Sequence, residues 1–294
     1  MGQEDASMPT DLPSNWGRWG DDDERGTLNL ITGEVRARAA AEVRTGQSVS
    51  LAQPIEPVTL LGGPFAPETT EGSPVFQMIS HTGTVQASAD LMLVTNHHPR
   101  STHLDALAHQ TFEGKAYPGR PLAECVTPIG VRFGSTAGFA SGIVTRGVLL
   151  DLAADGPLPT DHVVSPEDLE AAEEREGVRL ESGDAMVIRG GQLLRLNQPI
   201  PGLSVDSVRW MHRRGVSLYV GDIGDAHPPQ VPGAPSPLHT VALARMGMPL
   251  LDAAQVEELA AVCAELGRYS FLLSAAPPRI HGLTGVPVNP IAIF

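Results

Sequence analysis

The sequence predicts an α/β fold, a single domain in which helices flank a mixed β-sheet. Short apolar runs of strand length alternate along the chain with longer segments that begin and end at helix-capping residues, an order typical of α/β or α+β proteins. The 294 residues can enclose one sizeable core, and no repeat, low-complexity linker or shift in composition divides them. We therefore expect one domain over residues 1–294, with an N-terminal arm over about residues 1–30.

Four apolar runs are the expected strands of this sheet. They are of strand length and are bounded by glycine or polar residues. They cover residues 147–151, 185–189, 216–220 and 269–273.

Three helices are predicted from their capping residues. The first follows the N-cap Ser165, has a proline at its first position and acids in its first turn, and ends at Gly177. The second runs over 204–214 and the third over about 253–266, and a glycine follows each. These three helices are expected to flank the sheet that the four strands form.

Two proline-rich segments, 53–75 and 226–237, are expected to be loops. Loops of this length in a compact domain usually have a function. We expect them to act as lids over a site or as arms that contact another subunit.

The composition excludes several classes of function. The formal net charge of −14 argues against nucleic acid as a partner, because phosphate binding depends on clustered Lys and Arg. No apolar run approaches the roughly 20 residues of a membrane span, and the first residues are acidic where a signal peptide would be basic. The two cysteines form no metal-binding spacing. We therefore expect a cytoplasmic protein without a membrane or nucleic-acid partner.

A histidine-rich segment, residues 95–109, predicts a divalent-metal site. It contains four of the ten histidines and one carboxylate. His103 and Asp105 offer one imidazole nitrogen and one carboxylate oxygen, and His109 follows Asp105 by one turn if the segment continues as a helix. A single His-x-Asp pair arises often by chance, but four titratable rings this close are costly unless a cation or a carboxylate organises them.

A second group of polar residues lies downstream and has two interpretations. Asp222 follows a predicted strand, and the carboxyl ends of strands are where α/β folds place their sites. Asp222 and Asp225 could instead only organise a turn, and Asp252 could form a capping box with Gln255 rather than bind a metal. His239, which follows a proline-rich segment and precedes an apolar run, is better explained as a site residue than as a core histidine.

The segment Thr102–His109 resembles the HxGTHxDxPxH signature of the cyclase family, metal-dependent enzymes that include bacterial kynurenine formamidase and isatin hydrolase. Residues 81–84 imitate the start of the signature but lack its second histidine, so we treat them as a chance match. The resemblance implies a cyclase- and formamidase-like swivelling β/α/β fold and a homodimer or homotetramer. It extends to Trp16-Gly17-x-Trp19-Gly20, Asp23-x-x-Gly26-Thr27-Leu28-Asn29, Gly183-Asp184, the segment 239–252 and Thr284-Gly285-x-Pro287-x-Asn289-Pro290.

The resemblance also implies a role for each matching residue. His103 and Asp105 correspond to metal ligands, and His109 to a histidine that transfers protons or binds a second metal. His239 corresponds to the distal histidine of the family, and Asp252 occupies the place of a ligating or bridging glutamate.

Two positions depart from the family pattern. Asp252 has a shorter reach than the glutamate of the family, which could weaken the metal or alter which ion fits. The first histidine of the signature is replaced by Pro99, and the nearest histidines are His98 and His97. Either His98 reaches the metal through a rearranged loop or the first ligand is lost. We take His98 as the ligand, because neighbouring side chains in an extended loop point in opposite directions and only one of the two can reach the metal.

The expected activity is hydrolysis of an amide, a cyclic amide or a lactone in a small-molecule substrate. Zinc or manganese, held by His98, His103, Asp105 and Asp252, would activate water, and His109 or His239 would protonate the leaving group. A ring-closing or dehydrating enzyme and a metal-free binding protein remain as alternatives. Four aromatic residues are candidates for contacts with an aromatic substrate: Trp16, Trp19, Phe65 and Tyr117.

Overall fold

The computed structural model describes residues 11–55, 75–81, 88–195, 199–226 and 236–294. Most of the two proline-rich loops, residue Phe65 and residues 82–84 lie outside these ranges. The strands, in chain order, are β1 (Ser48–Ser50), β2 (Val75–His81), β3 (Ser88–Val94), β4 (His103–Asp105), β5 (Lys115–Ala116), β6 (Arg120–Pro121), β7 (Val126–Thr127), β8 (Gly130–Val131), β9 (Ile143–Asp151), β10 (Val163–Val164), β11 (Ala185–Arg189), β12 (Gly202–Leu203), β13 (Leu218–Gly221), β14 (Leu250–Asp252), β15 (Ser270–Ala275), β16 (Gly285–Pro287) and β17 (Ile291–Ile293).

The helices fall between and around these strands. The α-helices are α1 (Gly33–Ala40), α2 (Leu122–Cys125), α3 (Pro166–Glu176), α4 (Val205–Arg214) and α5 (Glu257–Leu266). Short 3₁₀ helices cover Gly26–Leu30, Thr136–Phe139 and Gln192–Arg195, and a π-helix covers Pro237–Leu243. No helix in the described ranges is both long and apolar enough to cross a membrane.

Nine strands form one mixed sheet, in the order β1-β17-β15-β9-β11-β13-β14-β4-β16. The four strands at its centre, β9, β11, β13 and β14, are parallel, and antiparallel strands extend the sheet on both sides. This arrangement confirms the predicted mixed sheet with flanking helices. All four predicted strands are present, and β11 has the predicted bounds.

The first two predicted helices form with the predicted caps. At α3 the Ser165 side chain accepts a hydrogen bond from the backbone N–H of Asp168, and Gly177 ends the helix in the left-handed conformation. The third helix begins four residues later than predicted, because β14 extends to Asp252 and the chain then turns through Ala253 at φ +56°. Val256 is its N-cap and no side chain caps it, so the interpretation of Asp252 as a helix cap was wrong.

Strand β4 carries the first half of the predicted metal motif. Residues 95–109 do not run from a loop into a helix as considered above; residues 103–105 form a buried strand between β14 and β16. Alternate residues of a strand share a face, so His103 and Asp105 point to the same side of the sheet. Asp252 is paired with His103 in register, which places it on that side as well.

The N-terminal arm packs against the segment 244–247. The backbone and side-chain amides of Asn15 donate to two carbonyls of this segment at 2.9 and 2.8 Å, and Trp16 Nε1 donates to a third at 2.9 Å. The fit is close: a Cβ added to Gly26 would lie 1.8 Å from the carbonyl oxygen of Gly247. The arm therefore supports the segment that directly follows the π-helix.

Candidate metal centre

Asp105 is the centre of a cluster of histidines. Its side chain is fully buried, and its two oxygens face different partners. Oδ1 lies 2.8 Å from His97 Nδ1 and 3.6 Å from His103 Nε2. Oδ2 lies 3.4 Å from His239 Nε2 and 3.9 Å from His109 Nε2. The fold thus brings together residues from β4, the turn after it, the segment before it and the π-helix.

The polar atoms of this cluster suit a bound cation. Among the described residues, no donor makes a directed hydrogen bond to either oxygen of Asp105, and His97 Nδ1 and Asp252 Oδ1 are also buried without one. Buried polar atoms are normally hydrogen-bonded, so orphaned lone pairs that converge are better explained as metal ligands. Two groups of three residues each offer one possible ligand atom per residue, and within each group these atoms lie within 4.8 Å of one another. The groups are His97 with His103 and Asp105, and Asp105 with His109 and His239.

Burial and charge shape the protonation of the cluster. Burial would raise the pKa of Asp105, but the close contacts of His239 and His97 and the nearby rings of His103 and His109 outweigh it and hold the pKa far below its ordinary range. Burial lowers the pKa of His109 to about 4, although Asp105 acts in the opposite direction. The central carboxylate is therefore ionised, which favours a cation beside it.

Contacts outside the cluster orient its rings. His103 Nδ1 lies 2.7 Å from the carbonyl oxygen of Ser101, which accepts a hydrogen bond from this nitrogen and leaves Nε2 directed at Asp105. His97 Nε2 lies 3.0 Å from Thr284 Oγ1, and the ring stacks on that of His109 with centroids 3.8 Å apart.

Gly285 makes room for the ring of His97. It pairs with Asp105 in the register of β16 and β4, so a side chain there would point into the cluster. An added Cβ would lie 2.4 Å from His97 Cε1.

Asp252 and Asp225 both contact His239. Asp252 Oδ2 lies 3.3 Å from His239 Nε2, and Asp225 Oδ2 lies 2.6 Å from His239 Nδ1. Burial would lower the pKa of His239, but contacts with Asp105, Asp225 and Asp252 raise it well above its ordinary value.

Among the described residues, His97 rather than the predicted His98 lies in a group that could hold a metal ion. The backbone N–H of Arg100 donates to His98 Nδ1 at 3.1 Å, and this buried ring belongs to neither candidate group found in the described ranges. Residues 96 and 97 form a turn, so this segment is not the extended loop from which the choice of His98 was argued. The other predicted site residues, His103, Asp105, His109, His239 and Asp252, lie together as described above.

Asp222 has a different environment from Asp225. Its carboxylate accepts hydrogen bonds from the backbone N–H groups of Gly190 and Gln192 at 2.6 and 2.9 Å. Burial raises its pKa to about 6. Asp222 therefore fixes the loop after β11, which agrees with its interpretation as an organiser of backbone turns.

The candidate aromatic residues make contacts at the base of the N-terminal arm. The buried Tyr117 donates its hydroxyl to Asp23 at 2.9 Å, and the guanidinium of Arg18 lies 4.6 Å from the ring centroid of Trp19. Trp16 is engaged with the segment 244–247 as described above. These contacts give Trp16, Trp19 and Tyr117 a role in the packing and hydrogen bonding of the N-terminal arm.

Sequence reasoning did not assign three residues that shape the cluster. They are His97, which was set aside in favour of His98; Gly285, which admits the ring of His97; and Asp225, whose contact with His239 was not foreseen. The density of histidines pointed to the segment that contains His97. The turn at residues 96 and 97 and the contact with Gly285 distinguish it from its neighbour.

Comparison with known proteins identifies the family. Residues 49–226, more than half of the chain, match the family described as "Putative cyclase". The chain belongs to this family. The match includes the His103–Asp105 motif, so the resemblance drawn from that motif is confirmed. A search of curated proteins found no match.

Solved structures of the cyclase family share the fold. One described as a novel cyclase is 30% identical, with a TM-score of 0.83 over 96% of this chain and 100% of that one. Isatin hydrolase A from Ralstonia solanacearum is 20% identical, with a TM-score of 0.58 over 87% of this chain and 94% of that one. An isatin hydrolase bound to the product analogue thioisatinate is 17% identical, with a TM-score of 0.59 over 90% and 97%. At these lower identities, the two isatin hydrolases establish the fold alone.

Proposed function

We propose that this chain is a metal-dependent hydrolase that cleaves an amide, a cyclic amide or a lactone. The observation that supports this most directly is the convergence of histidine nitrogens on the two orphaned oxygens of Asp105. Membership of the cyclase family and a fold shared with isatin hydrolases support the same class of reaction.

We assign the metal ligands to His97, His103 and Asp105, with Asp252 close enough to His239 to act on the same centre. Imidazole nitrogens with a carboxylate oxygen suit zinc or manganese. When bound, such an ion supplies a Lewis acid that can lower the pKa of water to about 7. The 2.8 Å distance from His97 Nδ1 to Asp105 Oδ1 supports His97 in the role of the family's first histidine. With that role filled, the hypothesis of a metal-free binding protein, which assumed a lost ligand, is not needed.

The remaining residues of the cluster are assigned to proton transfer. His239 Nδ1 is engaged with Asp225, and the raised pKa of His239 favours the charged ring, in which Nε2 also carries a proton and can give it to the leaving nitrogen or oxygen. The ring of His109 is stacked on His97 and directs Nε2 towards Asp105 Oδ2. It is the second candidate for proton transfer, on the same side of the carboxylate as His239.

Ring closure or dehydration is the second candidate reaction. The relative with 30% identity is described as a cyclase, and the same polarising centre can act on a carbonyl without net addition of water. Hydrolysis and cyclisation differ in the fate of water: only hydrolysis adds an oxygen atom from solvent to the product.

The decisive experiment combines metal analysis with isotope labelling. Purified protein, as isolated and after loading with zinc or manganese, is incubated in ¹⁸O-labelled water with an N-formyl arylamine, a cyclic amide and a lactone. We expect about one or two ions per chain and ¹⁸O in the carboxylate of a ring-opened product or in the formate released from the N-formyl arylamine. Product without ¹⁸O supports the cyclase, and protein without tightly bound metal contradicts both enzymatic proposals.

Two alanine variants make this experiment specific to the site. His103→Ala should lose metal and activity. His162→Ala is the matched control, because His162 pairs with Asp168 at 3.0 Å outside the cluster, and it should retain both. The family resemblance also supports a homodimer or homotetramer, which analytical ultracentrifugation of the same preparation measures.

A further inference from the structure

The carboxylate of Asp225 accepts hydrogen bonds from the first turn of the π-helix. Oδ1 accepts from the backbone N–H of Leu238 at 2.7 Å, and Oδ2 accepts from the backbone N–H of His239 at 3.1 Å. The first N–H groups of a helix have no partner within the helix, and Pro237 at its start has no N–H to offer. Asp225 thus caps this helix from 13 and 14 residues away, a contact that a local turn does not explain.

The same carboxylate also holds the imidazole ring of His239. Oδ2 lies 2.6 Å from Nδ1, and the Asp225 side chain is only 10% exposed. An ionised carboxylate can only accept hydrogen bonds, so the proton of this contact belongs to Nδ1. In the neutral ring the lone pair is then on Nε2, the atom that lies 3.4 Å from Asp105 Oδ2 and 3.3 Å from Asp252 Oδ2.

We propose that Asp225 is a positioning residue that fixes the Nδ1–H tautomer and the orientation of His239. By binding the ring and the backbone of the same residue, it leaves His239 one orientation, with Nε2 towards Asp105 and Asp252. A π-helix is rare and often marks a functional site. Here it places His239 where Asp225 can reach both the ring and the backbone N–H of this residue. A role of Nε2 towards a metal or a substrate rests on the proposed function, whereas the assignment of the tautomer does not.

The test is Asp225→Asn in the full-length protein. The amide keeps the shape of the carboxylate and one acceptor, but it brings an NH₂ group towards His239. Only one oxygen remains to accept from Leu238 N, His239 N and His239 Nδ1. An amide that keeps its oxygen on Nδ1–H sets its NH₂ group against the N–H of Leu238, and an amide that keeps its oxygen on Leu238 donates its NH₂ group to Nδ1. We expect the ring proton to move to Nε2, with a loss of zinc affinity of at least about tenfold, the lower end of the effect of outer contacts on metal sites.

The readout is ¹⁵N NMR of zinc-loaded protein labelled at its histidines, with the His239 signal assigned from His239→Gln. The wild type should show a proton on Nδ1 of His239, and Asp225→Asn should lose it. Asp168→Asn is the matched control, because Asp168 Oδ2 likewise accepts from a backbone N–H and lies 3.0 Å from His162 Nε2. It should leave the His239 signal and zinc affinity unchanged.

The outcomes separate this proposal from the proposed function. A wild-type His239 without a proton on Nδ1 overturns the positioning role, even if the variant does not fold. So does an Asp225→Ala protein, which has no acceptor for Nδ1–H, if it retains both the Nδ1–H signal and the zinc affinity. Protein that binds neither zinc nor manganese but keeps an Nδ1–H bonded to Asp225, lost in Asp225→Asn, supports the positioning role and contradicts the metal-dependent hydrolase.

Discussion

Replacing Gly285 by Ala should displace His97 from the cluster. Gly285 lies outside the left-handed region of backbone conformation, so the backbone itself accepts an alanine. The new Cβ would lie 2.4 Å from His97 Cε1 and 2.9 Å from Nε2. Ordinary van der Waals contact begins at about 3.5 Å, so the ring has to move by about 1 Å.

A shift of this size is large for a metal ligand. Ligand distances in metal sites hold to within about 0.2 Å, and the ring of His97 is confined by its stacking on His109 at 3.8 Å. We therefore expect Gly285→Ala to lose zinc affinity by more than the roughly 10–100-fold typical of outer contacts. Competition with a chromophoric chelator measures this loss, and circular dichroism reports whether the fold is retained.

Two further variants connect the effect to His97. Gly33→Ala is the matched control: this glycine also has a backbone suited to alanine, but an added Cβ meets nothing within 4 Å. The double variant Gly285→Ala/His97→Ala should bind zinc no more weakly than His97→Ala alone, because both changes remove one ligand. Additive losses, or wild-type affinity in Gly285→Ala, would refute the assignment of His97.

Three other predictions address the ligand set and the scaffold. His97→Ala should lower zinc affinity in chelator competition, while His98→Ala should not. Equal losses would contradict the assignment of His97 rather than His98 as a ligand. Asp252→Asn should reduce turnover without changing the melting temperature, because Asp252 caps no helix; a large drop in melting temperature alone would make it structural. Burial raises the pKa of Glu176 from 4.5 to about 7, so between these pH values the folded protein holds a proton that the unfolded chain has lost. The stabilisation from this protonation, at most about 3 kcal/mol, is fully present below pH 4.5 and is lost as the pH rises through 7. Urea unfolding should therefore show Glu176→Gln gaining stability over the wild type between pH 5 and pH 8; a pH-independent difference would contradict the shifted pKa.

Local sequence patterns were sufficient where local interactions determine the structure. The limits of α3 follow from Ser165 and Gly177, whose caps form within the helix itself. Strand β11 is an apolar run that lies fully between two neighbours, so its bounds match its composition.

The site depended more on tertiary contacts. Strands β4, β14 and β16 have three residues each, which is too short for a recognisable period, and they exist because they pair with one another. The motif identified His103 and Asp105, but the choice between His97 and His98 is made by a turn and by Gly285, almost 190 residues away. The start of α5 was misplaced for the same reason: pairing of β14 with β4 holds Asp252 in a strand.

The position of β4 between β14 and β16 also determines when the proposed metal site can form during synthesis of the chain. Asp105 is paired on one side with Leu250 and on the other with Gly285. At about 5–20 residues per second, a ribosome takes roughly 10–40 s to pass from β4 to β16. During this interval the histidine-rich segment exists without either neighbouring strand and without His239. The complete set of proposed ligands therefore forms only after β14, which carries Asp252, has been translated and has paired with β4, so an ion held by this set would bind after that point.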